Sequence, residues 1–125
     1  MQIVEREVRG VTILDLTGRF VLEDGVTLFV ERLNALTRRG RRRILVNFEN
    51  VTYLDSAGVG AVAWKYVTVR KQGGDVKLLN LRPRSFTVLE RTKLLTVLES
   101  FESEDQAIDT YVENVEDDDI DPILT

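Results

Sequence analysis

Val4, Arg6 and Val8, followed by Val11, Ile13, Leu14 and Leu16, form two short strand-like patterns on either side of Arg9-Gly10. A hairpin is predicted there, with Gly18 expected to end its second strand. From Asp24 the period changes. Val26, Phe29, Val30, Leu33 and Leu36 fall at helical spacing, with Asp24 suited to the cap and Gly40 to the stop. The run Ile44-Leu45-Val46-Asn47-Phe48 predicts a buried central strand, and Glu49 to Leu54 a loop. A second helix is expected from Ser56 to Lys71, closed by Gly73-Gly74, and then a strand through Val76, Leu78, Leu79 and Leu81. Pro83 opens a third helical stretch, Ser85 to Leu95, with Phe86, Leu89 and Leu94 or Leu95 inward. Val97-Leu98 is expected as an edge strand, and residues 104–113 as a last helix carrying Ala107, Ile108, Tyr111 and Val112 on one face. The order β-β-α-β-α-β-α, plus a short strand and helix, predicts one α/β domain with a mixed, mainly parallel sheet. Its expected extent is residues 1–113.

Composition narrows the chemistry. The 125 residues contain no His and no Cys, which removes Ser-His and Cys-His nucleophile pairs, thiolate zinc sites and disulfides. No catalytic residue, metal ligand or cofactor site is predicted. No apolar run approaches the roughly 20 residues that span a bilayer, and the N-terminus looks like a strand rather than a signal peptide. The expected location is cytoplasmic. The net charge of −4 conceals an asymmetry: residues 1–101 carry all 17 basic residues against 11 acidic ones, and residues 102–125 carry 10 acids and no base. Residues 114–125, with Glu116-Asp117-Asp118-Asp119-Ile120-Asp121, are expected to form a disordered acidic tail.

Asp55-Ser56-Ala57-Gly58-Val59-Gly60 lies between the predicted central strand and the second helix. At a helix start, free backbone N–H groups and the positive end of the dipole favour an added anion. A phosphate on Ser56 would bring roughly −1.5 to −2 charges beside Asp55 and change docking more than folding. Gly58 and Gly60 each lower helix propensity by about 1 kcal/mol relative to Ala. They would leave the first turn open to a partner's backbone. The plainer alternative is that Asp55-Ser56 is an N-cap and the glycines permit tight helix–sheet packing. No Gly-Lys-Ser/Thr follows, so the segment is not a nucleotide phosphate loop.

Residues 51–62, Val-Thr-Tyr-Leu-Asp-Ser-Ala-Gly-Val-Gly-Ala-Val, closely resemble the signature of the STAS-domain family, in particular the bacterial anti-sigma-factor antagonists. The resemblance extends over about residues 3 to 112. It implies a regulator without catalytic machinery. In its unphosphorylated form such a protein binds an anti-sigma factor that is also a serine kinase, and so frees a sigma factor. Phosphorylation of the serine matching Ser56 weakens the complex, and a serine phosphatase resets it. The candidate partner surface comprises Asp55, Ser56, Ala57, Gly58, Gly60 and Trp64. The chain departs from the family at Val21, where many members have Asp or Asn, although Glu23 and Asp24 are close in sequence. The rival role on this fold is a stressosome-like scaffold or a transporter-associated subunit. Oligomeric state is left open.

At about 100° per residue, a helix from Ser56 sets Val59, Val62, Tyr66 and Val69 inward. Trp64 points away, with Ala57, Ala61 and Thr68 on its side, either exposed to a partner or covered by the last helix. Arg38-Arg39-Gly40-Arg41-Arg42-Arg43 could suggest nucleic acid, but a helix C-terminus favours cations by itself and no aromatic residues interleave. No direct nucleic-acid contact and no membrane insertion are expected.

Overall fold

The computed structural model describes residues 1–112, so the acidic tail expected at 114–125 lies outside the described residues. Its elements are β1 (Gln2–Val8), β2 (Val11–Phe20), α1 (Val26–Arg38), β3 (Arg43–Leu54), α2 (Ser56–Lys71), β4 (Asp75–Leu79), α3 (Pro83–Arg91), a 3-10 turn (Leu94–Thr96) and β5 (Ser100–Phe101). Residues 104–112 are helical, and this segment is named α4. The sheet order is β1-β2-β3-β4-β5. β1 is antiparallel to β2 and every other pair is parallel. The mixed sheet and element order are those expected from the sequence.

Alternating side chains divide the core between the two faces of the sheet. Leu14, Leu16, Phe20, Ile44, Val46, Phe48 and Leu78 meet apolar residues of α1, α2 and α3 on one face. Val11, Ile13, Leu45 and Leu79 meet Ala107, Ile108 and Tyr111 of α4 on the other. Phe20 sits at the centre of the first layer, with ring centroids 4.9 Å from Phe29 and 6.2 Å from Phe48. Such pairs add about 0.5–1.5 kcal/mol each beyond their buried area.

Polar ties hold α4 in place. The buried Tyr111 hydroxyl donates to the Ile44 carbonyl at 2.7 Å, and Arg6 bridges Asp15 at 2.6 Å and Glu104 at 2.5 Å. Burial alone would raise the Asp15 carboxyl pKa. Hydrogen bonds from Arg6 and Asn47 and the Arg6 charge outweigh it, so the pKa is lowered. Burial raises the Tyr111 pKa. The arginine cluster is likewise tied into the fold, with Arg39 on Glu5, Arg41 on Glu7 and Arg42 donating to the Gln72 carbonyl.

Several boundaries differ from the sequence expectation. Gly18, at φ 107, does not end β2. The pairing of β2 with β3 shifts register between Asp15 and Thr17 and again between Gly18 and Arg19. Those bulges extend β3 through the expected loop to Leu54 and bring Val51 and Leu54 to the core face. The cap of α1 is Gly25, at φ 134, and not Asp24, because the Val21–Gly25 turn places Asp24 against the N-terminal ammonium. β4 stops at Leu79, since Asn80 takes a left-handed conformation at φ 56. α3 ends at Arg91 because Lys93, at φ 65, breaks it. Leu89 is buried and Leu94 and Leu95 pack on the core as expected, but Phe86 is exposed and Ser85 is buried in its stead. The edge strand is Ser100–Phe101, not Val97-Leu98.

Candidate functional site

β3 delivers Asp55 to the start of α2 in extended backbone, φ −99 and ψ 179. Both carboxylate oxygens are engaged. Oδ1 accepts the Gly58 N–H at 2.8 Å and caps α2, while Oδ2 accepts the Leu22 N–H at 3.1 Å from the β2–α1 loop. One side chain therefore fixes both the helix start and the neighbouring loop. Ser56 is the first helical residue and is exposed. Its position at an N-terminus puts the positive end of the helix dipole beneath it.

The two glycines play different parts. A Cβ on Gly58 would stand 2.5 Å from the Phe20 carbonyl oxygen and 2.7 Å from Leu54 Cδ1. Gly58 is buried, so it belongs to the helix–sheet contact and does not open the first turn to a partner. A Cβ on Gly60 would meet nothing within 4 Å. Gly60 is part of the open face.

That open face is apolar. Beyond Ser56 and Gly60 it presents Trp64, 58% exposed, and Val67, 47% exposed. The strip expected through Ala57, Ala61 and Thr68 is displaced: Ala61 is buried, and Ala57 and Thr68 are half-buried. Trp64 is not covered by α4, which packs on the opposite face of the sheet. Val67 was absent from the candidate residues. Yet eleven steps of 100° return it to within about 20° of Ser56, so the arithmetic that placed Trp64 also finds Val67. On the buried side Lys65, 3% exposed, donates to Asn34 Oδ1 of α1 at 2.5 Å. Burial depresses its pKa, and its ammonium lies 5.0 Å from the Trp64 ring centroid.

Beside Asp55, a shallow hollow of about 330 Å³ is lined by Arg19, Val21, Leu22, Glu23, Tyr53 and Asp55. Leu22 and Tyr53 add exposed apolar surface at 64% and 46%. Val21 is buried and its carbonyl accepts the Asp24 and Val26 N–H groups, so it shapes the loop. Of the two acids near it, Glu23 reaches the hollow and Asp24 holds the N-terminal ammonium. Among the described residues, no group of three or more acidic side chains could hold a metal ion. No described helix is long and apolar enough to cross a membrane.

The chain is thus an α/β domain with a five-stranded mixed sheet and a serine exposed at the head of α2. The STAS domain matches residues 2–107, and the chain belongs to the STAS-domain family. An anti-sigma F factor antagonist of Paenibacillus polymyxa is 23% identical over 108 residues, covering 86% of this chain and 92% of that protein. The crystal structure of an anti-sigma factor antagonist from Mycobacterium paratuberculosis superposes with a TM-score of 0.78 at 16% identity, covering 87% of this chain and 92% of the other. The structure of the Bacillus cell fate determinant SpoIIAA in the phosphorylated form superposes with a TM-score of 0.69 at 23% identity, covering 88% and 99%. At these identities the structural likenesses establish the fold.

Proposed function

We propose that this chain is an anti-sigma-factor antagonist controlled by phosphorylation of Ser56. The observation that carries the reading is the exposed Ser56 at the head of an exposed apolar stripe, Gly60, Trp64 and Val67. The unphosphorylated face docks on an anti-sigma factor that is also a serine kinase, with Trp64 as its aromatic anchor. The γ-phosphoryl group of ATP moves to the Ser56 hydroxyl oxygen, breaking its bond to the β-phosphate and releasing ADP and the hydroxyl proton. The resulting phosphate, roughly −1.5 to −2 charges at pH 7, disfavours an apolar interface beside Asp55. The helix start can hold that anion without unfolding. A serine phosphatase restores the docking form. The relatives named as antagonists, and SpoIIAA with its phosphorylated form, support this reading. The protein then acts by binding and holds no catalytic group of its own. The domain is residues 1–113, with 114–125 as an acidic extension.

The test is intact-mass analysis after incubation with ATP and each candidate anti-sigma kinase, with the modified residue mapped. One added phosphate on Ser56 is expected. Ser56→Ala should bind the kinase and resist release, and Ser56→Asp should bind poorly. Equal binding by the two variants sinks the switch. Large multimeric assemblies without kinase binding would move the assignment to a scaffold.

A further inference from the structure

A second surface lies away from the Ser56 face. β3 runs through Leu54, but β4 pairs only with its residues Arg43–Asn47. Asn80 and Pro83 then turn the chain away from the sheet into α3. From Phe48 to Leu54, β3 therefore has β2 on one side and no strand on the other among the described residues. This edge runs over residues 48–54 and carries the two bulges of β3. An open groove of about 710 Å³ lies between residues 49–52 of β3, Thr17 of β2 and the start of α3. At its near end the Glu49 main chain is already engaged, the carbonyl accepting from Arg82 Nη1 at 3.3 Å and the N–H donating to Asn47 Oδ1 at 3.1 Å, so the groups open to a partner lie from Asn50 onward.

The groove also has a charge preference. Arg82 and Arg84 stand on its far wall and Glu49 is its one acid. Neither arginine pairs with a carboxylate among the described residues. They sit at the start of α3, which has no side-chain cap and no acid in its first turn, so the helix dipole adds to their field. A free strand edge supplies main-chain affinity for an extended segment, and flanking side chains select its sequence.

We propose that this groove binds an extended acidic segment of a partner protein, which pairs as an added strand along Asn50–Leu54 with its carboxylates on Arg82 and Arg84. This site is independent of the Ser56 reading, because it uses the β4-side edge of β3 and the α3 N-terminus. It gives the domain a second contact that phosphorylation does not reach.

The experiment titrates the full chain into a fluorescent peptide alternating glutamate and valine, followed by anisotropy. A second peptide, N-methylated at alternate residues, keeps the charges and loses one row of N–H donors; a third is methylated on the other row. Saturable binding is expected for the first peptide. One methylated form should bind at least about tenfold more weakly. The double variant Arg82→Glu/Arg84→Glu, at exposed positions, should weaken the parent peptide by a similar factor, and Ser56→Asp should leave it unchanged. Amide exchange at Asn50–Tyr53 should slow in the complex. No saturable binding overturns the proposal. So does equal binding of the parent and both methylated peptides, which would show charge attraction without strand pairing.

Discussion

α1 and α2 lie side by side on one face of the sheet, and they are built by opposite rules. α1 buries Phe29, Leu33 and Leu36 and turns Thr27, Glu31 and Arg38 to solvent, as an amphipathic surface helix should. α2 buries Lys65 and exposes Trp64 and Val67. It carries two glycines, Gly58 and Gly60, within its first turns, while α1 contains none. A helix that is apolar on every side belongs in a core, yet one side of α2 faces water. Folding accounts for α1 completely. It accounts for only the inner half of α2, and the outer half is the face proposed to dock.

The contrast breaks first at Gly58. Gly58→Ala drives a methyl into the Phe20 carbonyl and Leu54, and should cost about 2–3 kcal/mol in urea unfolding followed by circular dichroism. Trp64→Ala tests the outer half. It should leave stability within about 0.5 kcal/mol and weaken kinase binding by about 2 kcal/mol, roughly 30-fold. Glu31→Ala on α1 should change neither quantity by a measurable amount. Asp55→Ala removes both the cap on Gly58 and the tether to Leu22, for an expected loss of about 1–2 kcal/mol. Gly60→Ala has open space for its methyl and should gain up to about 1 kcal/mol of stability. A gain there beside a loss at Gly58 would separate the two glycines cleanly.

Lys65 provides the smallest and most specific effect. Because burial depresses its pKa, the unfolded chain holds this proton more tightly than the folded one. Folding is therefore penalised below the folded pKa, and the penalty fades as pH rises towards the unfolded value of about 10.4. Lys65→Met should be more stable at neutral pH by about 0.5 kcal/mol, since Asn34 loses its partner and offsets part of the relief. The gap from wild type should narrow as pH rises towards about 10.4 and stay constant beyond it. A gap that stays constant with pH would show that Lys65 carries no such penalty.

The sequence made the element order and the start of α2 legible, because Asp55-Ser56 is a capping pair by residue type and period-3.6 spacing follows it at once. It hid the length of β3. Val51 and Leu54 lie three residues apart, which looks aperiodic until the two bulges against β2 are known, and bulges depend on a partner strand distant in sequence. Asp24 resembled a cap by residue type, but the Val21–Gly25 turn supplied the α1 entry from main-chain geometry alone. The site was partly legible. Angular arithmetic put Trp64 outward, whereas burial of Gly58 and Ala61 depends on how closely Phe20 and the sheet approach, which no local pattern encodes.

Trp64 is the only tryptophan in the chain and stands mostly in water. The protein thus carries an intrinsic optical reporter on the surface proposed to dock. Its emission should be long-wavelength in the free folded state and shift to the blue when a partner excludes solvent from the indole. Unfolding should move the same band very little. Tryptophan fluorescence in this protein is therefore suited to following occupancy of that face without a label and poorly suited to following the loss of structure.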